Sequence, residues 1–154
     1  MCELLSAAAE VEYQAYGFPK SIIIAMAIKE CGFLTFNGGL PPTSNNVLTM
    51  NVDMWNSRWR SGWLGGYASV RVPQYDSTLG KLVYGYENVR CYEDIEACME
   101  DFANFKVSLL GPVSAGMSIE EVVDKYLEGY ATSPGYKSSI LATIKLHQLT
   151  RFDH

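Results

Sequence analysis

The 154-residue chain predicts an α+β fold, mainly α, in which a helical domain carries a small β-hairpin lobe flanking a cleft. Three observations predict it. The run Ser21-Ile22-Ile23-Ile24-Ala25-Met26-Ala27-Ile28 is apolar on every side, which marks a helix buried all round. Further on, apolar residues recur at helical spacing in three more segments. Between these helical parts, residues 66–91 turn to β-branched and aromatic types interrupted by glycines, the pattern of short strands. The expected layout is one domain, 1–154, with a helical part at 1–65 and 92–154 and a strand-rich lobe at about 66–91. That length suits a single core.

Taken in order, residues 3–16 read as one helix with Leu4, Leu5, Ala8 and Val11 on its inner face, stopped by Gly17. Residues 20–30 form the buried helix, stopped by Gly32, since glycine just past the last residue is a common helix stop. A long loop, 35–46, is rich in turn formers and lacks periodicity; loops of that length in a compact domain are often functional. In the strand region, Gly80 and Gly85 break the apolar run of Val70, Val72, Leu79, Leu82, Val83, Tyr84 and Val89. Ile95, Cys98, Met99 and Phe102 then follow the i, i+3, i+4, i+7 pattern. Ser118-Ile119-Glu120-Glu121 is a capping box ahead of Val122, Val123 and Tyr126, and Gly129 closes that helix. Ser133-Pro134 opens the last one, with proline at its first position and Ile140, Leu141 and Ile144 on its apolar face.

Glu30 ends the buried helix. Burial removes solvation from its charged form, and the negative end of the helix dipole repels an anion. Both effects hold a proton near neutral pH, as a general acid requires. The plain alternative is a glutamate that points into water. Cleavage of a glycosidic bond needs such an acid and usually a second carboxylate. In or beside the strand region the available acids are Asp53, Asp76 and Glu87.

Composition narrows the classes. Hydrophobic residues make up 48% and charged residues 19%, an ordinary globular balance, with a net charge of -5. An acidic chain disfavours nucleic acid as a partner. No apolar stretch reaches the roughly 18 residues of a membrane span. The N-terminus lacks the basic start and apolar core of a signal peptide, so the chain is either an excised domain of a longer exported protein or leaves the cell by another route. Four cysteines without a CxxC pair, and two histidines, argue against a zinc site, and no cofactor is expected. Cys91 and Cys98 could bridge, or all four thiols could be free. Cys31 is a nucleophile candidate only if His147 partners it.

The chain resembles the bacterial glucosaminidase family, peptidoglycan hydrolases of glycoside hydrolase family 73 with a lysozyme-like fold. Ala27-Ile28-Lys29-Glu30-Cys31-Gly32-Phe33 is similar to the family's apolar helix ending in Glu-Ser-Gly-Trp. Asn45-Asn46-Val47-Leu48-Thr49-Met50 resembles its Asn-Leu-Phe-Gly-Ile stretch, and Val89-Arg90-Cys91-Tyr92 its Phe-Arg-x-Tyr. Tyr130-Ala131-Thr132-Ser133-Pro134-Gly135-Tyr136, and later Leu149 to Asp153, resemble its Ala-Thr-Asp-Pro-x-Tyr motif and closing helix. The resemblance implies Glu30 as catalytic acid. It also implies a second acid at Asp76, which lies about fourteen residues before Arg90, where the family often has a hairpin glutamate. Tyr136 matches a tyrosine that lines the family's cleft. Departures are Cys31 for Ser, Phe33 for Trp, Thr49 for Gly and Ser133 for Asp, the last reading as a helix cap.

Two further groups are candidates for holding sugar. Trp55, Trp59 and Trp63 are spaced by four and form either a core stripe or a stacking shelf, with Trp63 the favoured shelf residue because Gly62, Gly65 and Gly66 surround it. Asn45 and Asn46 either cap a turn or donate to acetamido groups, with Asn46 the substrate-binding candidate. The implied activity is cleavage of the β-1,4 bond after N-acetylglucosamine in cell-wall glycan strands, outside the cell or in the wall, as in an autolysin or endolysin. The alternatives are a lytic transglycosylase on the same polymer and a non-catalytic glycan-binding or structural domain of a phage tail or secretion machine. An acidic domain gains no long-range attraction to an anionic wall, so a wall-binding module or larger parent protein is the expected partner.

Overall fold

The computed structural model describes residues 1–32, 41–52, 63–131 and 133–154. The helices are α1 (Cys2–Ala8), α2 (Glu10–Tyr16), α3 (Lys20–Cys31), α4 (Ile95–Leu110), α5 (Ile119–Tyr126) and α6 (Tyr136–Leu146). The strands β1 (Tyr67–Asp76) and β2 (Lys81–Arg90) pair antiparallel, from Tyr67 opposite Arg90 to Asp76 opposite Lys81. The mainly helical domain with a hairpin lobe is therefore as the sequence predicts. Among the described residues, no helix is long and apolar enough to cross a membrane.

Helix α3 is the axis of the core. Ile22, Ile23, Ile24, Ala25, Met26 and Ala27 are all fully buried, and each isoleucine side chain so buried contributes roughly 1.5–3 kcal/mol. The helix packs on α1, on α6 and on a C-terminal 3-10 turn at Leu149–Phe152. Its start is fixed by the chain's far end. The backbone N–H of Ser21 donates to Asp153 Oδ1 at 2.8 Å, and buried Lys20 donates to Glu10 at 2.8 Å and to the His154 carbonyl at 3.1 Å. Its other end stops at Gly32, which takes a left-handed φ of 57° that a side chain disfavours.

The single helix expected over 3–16 is two short ones, broken at Ala9. Leu4 and Val11 face solvent, while Leu5, Ala8, Ala9 and Glu12 are buried. Those four follow the i, i+3, i+4, i+7 spacing from Leu5, so the inner face lies one position around from the expected stripe. Burial pushes the Glu12 carboxyl up to about 7, and nearby Glu100 and Glu96 add to the shift. Between the ordinary carboxyl range and about pH 7, the folded state binds more protons here than the unfolded one. Stability contributed by this site is therefore lost as pH rises through that window. Thermal melts from pH 5 to 8 are expected to show a falling Tm whose slope shrinks in Glu12→Gln; equal slopes would contradict this.

Other boundaries follow the sequence with three exceptions. Asp94 caps α4 through Ala97 N–H at 2.8 Å, and both bonds of the Ser118–Glu121 capping box are present. Gly129 lies in the turn beyond α5, which already ends at Tyr126. Helix α6 starts at Tyr136, not at Ser133-Pro134, because Gly135 before it has a left-handed φ of 79° that interrupts a helical path. Ser133 therefore caps nothing. Gly85 does not break its strand: β2 runs through it without a gap. None of the four cysteines, all of which are among the described residues, forms a disulfide.

Candidate active site

The α3 tip delivers Glu30 to the base of the hairpin. Its two carboxylate oxygens each accept a hydrogen bond: Oε1 from the Tyr136 hydroxyl at 2.8 Å, and Oε2 from Thr49 Oγ1 at 3.0 Å. Burial raises the Glu30 pKa; the bonds from Tyr136 and Thr49, and the charge of Lys29, oppose that rise without cancelling it. A raised pKa keeps the acid form present above the ordinary carboxyl range, and that form is lost as pH rises past it.

Tyr136 is fixed by its neighbours. Its ring lies 5.6 Å from that of Tyr130, and Lys29 Nζ sits 5.6 Å from its centroid. Burial raises its pKa further beyond the usual phenol range, so it stays a neutral donor. Tyr130 in turn packs edge-on against Phe102 and donates to the Leu48 carbonyl. Aromatic core and the Glu30 carboxyl are thus one packed unit.

Thr49 holds a positive φ of 55°. A β-branched residue there is a genuine outlier, costing on the order of 1–3 kcal/mol. This explains the glycine of the resembling motif: the backbone needs a left-handed residue at this point. Here a threonine accepts the strain, and its hydroxyl reaches Glu30. Tyr136→Phe or Thr49→Gly removes a donor that favours the charged form. Each is expected to move the alkaline limb of the pH–rate profile to higher pH; an unmoved limb in both would contradict the assignment.

A cavity of about 320 Å³ opens beside Glu30, lined by Thr49, Asn51, Pro73, Glu87, Tyr130, Ala131 and Ser133. A second hollow of about 540 Å³ shares Pro73, Glu87 and Ser133 and continues past Tyr75, Leu82 and Pro134. Together they form a cleft between helical body and hairpin.

The structure redistributes the other candidates. Asp76 is at the far end of β1, where its Oδ1 accepts from the N–H groups of Thr78 at 2.8 Å and Leu79 at 3.0 Å. It closes the hairpin turn and does not line the cavity beside Glu30. The hairpin acid that does is Glu87. Asn46 is fully buried, donating to the Met50 and Arg90 carbonyls at 2.7 and 2.9 Å and accepting from Met50 N–H at 2.8 Å. It braces the 44–50 loop and is not placed to touch a sugar. Asn45 donates to the carbonyls of Tyr92 and Glu93, a loop clamp as well. Trp63 is buried under the hairpin, with Nε1 on the Gly66 carbonyl at 2.6 Å and its ring 4.3 Å from the Arg90 guanidinium. It is a packing residue, not a stacking shelf. Cys31 is buried and its thiol donates to the Ala27 carbonyl, inside its own helix. Asp53, Trp55, Trp59, Gly62, Phe33, Thr132 and the 35–40 part of the loop lie outside the described residues.

Arg90 supports the cleft from below. Its guanidinium pairs with Asp101 Oδ2 at 2.7 Å and donates from Nε to the Asn51 carbonyl at 3.1 Å, while Tyr92 donates to the same Asp101 oxygen at 2.6 Å. Arg90 and Asp101 are both fully buried, so this pair ties the end of β2 to α4.

A protonatable carboxyl at a helix tip, facing a groove under a hairpin, is the arrangement of a lysozyme-like glycoside hydrolase domain. Solved structures share the fold. The catalytic domain of the autolysin Auto from Listeria monocytogenes superposes with a TM-score of 0.70 at 19% identity, covering 98% of this chain and 84% of that one. A peptidoglycan hydrolase mutant from Sphingomonas sp. A1 gives 0.67 at 24% identity, covering 95% and 92%. The glycoside hydrolase domain of FlgJ from Salmonella typhimurium gives 0.61 at 20% identity, covering 94% and 93%. No curated protein sequence matches. The family model described as glucosaminidase, mannosyl-glycoprotein endo-beta-N-acetylglucosaminidase, matches residues 6–149. The chain belongs to this glucosaminidase family and is a glycoside hydrolase.

Proposed function

We propose that this domain is a peptidoglycan hydrolase, an endo-β-N-acetylglucosaminidase that cleaves the β-1,4 bond after N-acetylglucosamine in cell-wall glycan strands. The observation that carries the proposal is Glu30: a largely desolvated carboxyl with a raised pKa, oriented by Tyr136 and Thr49, at the wall of an open groove. In that position it gives its proton to the departing glycosidic oxygen as the bond to the anomeric carbon breaks. Family membership, an autolysin of the same fold and a peptidoglycan hydrolase of the same fold support this substrate. Its place of action is the cell wall, and because the chain carries a net charge of -5, a wall-binding module or parent protein supplies delivery.

The test is a digest of purified peptidoglycan, with borohydride-reduced products read by mass spectrometry. Fragments ending in reduced N-acetylglucosamine are expected. Anhydro-muramic ends would instead identify a transglycosylase, and absence of products from every wall type would refute catalysis.

A further inference from the structure

Among the described residues, the carboxylate that lines the cavity beside Glu30 is Glu87, and neighbouring side chains hold it there. Strand residues alternate faces, so Gly85 and Glu87 share one face of β2 with Val83, the register partner of Gln74 on β1. Gly85 lies between Val83 and Glu87 and offers no side chain. Gln74 fills that space: its Nε2 donates to Glu87 Oε1 at 2.7 Å, and a Cβ placed on Gly85 would come within 2.9 Å of the Gln74 Oε1. The second Glu87 oxygen accepts from Asn51 Nδ2 at 3.4 Å, and the Asn51 carbonyl is itself bonded by Arg90. Both Asn51 and Glu87 line the cavity beside Glu30. A surface strand glutamate with no task would not need a glutamine laid across a glycine and an asparagine bridging to a buried arginine.

We propose that Glu87 is the second catalytic carboxylate, with Gln74, Gly85 and Asn51 as its positioning residues; this rests on the glucosaminidase reading above. Water then adds across the glycosidic bond. Its hydroxyl goes to the anomeric carbon, and its proton goes to Glu87. The proton of Glu30 goes to the leaving oxygen. Transfer of one proton from Glu87 to Glu30 through solvent restores both groups. Glu87 must start deprotonated, so it sets the acidic limb of the pH–rate profile while Glu30 sets the alkaline limb.

The experiment measures kcat, KM and pH profiles on glycan strands for the wild type, Glu87→Gln, Asp76→Asn, Gln74→Ala and Gly85→Ala. Glu87→Gln is expected to lower kcat by about 10²-fold or more with KM little changed, and to lose the acidic limb. Asp76→Asn, which keeps the turn-capping oxygen, stays within about twofold on the same scale. Gln74→Ala removes a donor to the charged form, and Gly85→Ala displaces that donor by pushing the Gln74 amide aside, so each moves the acidic limb to higher pH; a merely structural role would leave the limb in place. Wild-type kcat with an unchanged acidic limb in Glu87→Gln would overturn the proposal, and so would a large loss in Asp76→Asn alone. A wild type that cleaves no glycan would instead sink the glucosaminidase reading and this one with it.

Discussion

Glu30→Gln lowers turnover of glycan strands by about 10²–10⁴-fold, the range that a positioned general acid contributes, without disturbing the fold. The amide occupies the same volume at the α3 tip. Hydroxyl groups both donate and accept, so Tyr136 and Thr49 keep partners when one carboxylate oxygen becomes an NH2 group. The variant lacks only the proton that the leaving oxygen requires. Circular dichroism and thermal melting are expected to match the wild type while initial rates collapse. A variant that is folded and retains a tenth or more of the rate, roughly the loss below that expected of a general acid, would remove Glu30 from the chemistry.

Asp101→Ala produces the largest expected loss of stability. It leaves the Arg90 guanidinium, 1% exposed, beneath the hairpin without its carboxylate, and Tyr92 loses the same acceptor. Removing one partner of a buried ion pair costs about 3–5 kcal/mol, because the remaining charge stays desolvated. Denaturant unfolding at neutral pH measures it. The loss extends to function, since Arg90 also bonds the Asn51 carbonyl and Asn51 contacts Glu87. A loss under about 1 kcal/mol, typical of an exposed pair, would contradict the role given to this anchor.

The fold was legible wherever one local signal fixed one element. Residues 21–28 could only be a helix buried all round, and Ser118 with Glu121 could only begin one. Boundaries failed where two signals competed. Pro134 marks a helix start in sequence, yet Gly135 takes the left-handed turn and delays the helix to Tyr136. Gly85 has the look of a strand breaker, but its missing side chain is what admits Gln74 across the sheet.

The pairing of Glu30 with Tyr136 was foreshadowed because each sits in a contiguous motif. The hairpin acid that lines the cavity beside them was not. Asp76 fits a spacing, but spacing along a strand does not tell which end of a hairpin meets the helix tip. The antiparallel register places Asp76 at the turn and Glu87 near the base. Asn46 and Trp63 each carry two readings in sequence, turn cap or acetamido donor and core stripe or stacking shelf; burial makes both supports. Thr49 carried a faint signal, a non-glycine where the motif has glycine, and only its positive φ and its bond to Glu30 give that departure a meaning.

The central claim is that Glu30 is the proton donor to the leaving oxygen. Its most direct test compares wild type and Glu30→Gln on two substrates: the natural glycan, and a glycan oligosaccharide ending in N-acetylglucosamine linked to dinitrophenol. The dinitrophenolate departs without a proton. The variant is expected to lose most of its activity on the natural bond and to keep most of it on the aryl glycoside. Equal losses on both substrates would mean that Glu30 serves some other step and would contradict the account.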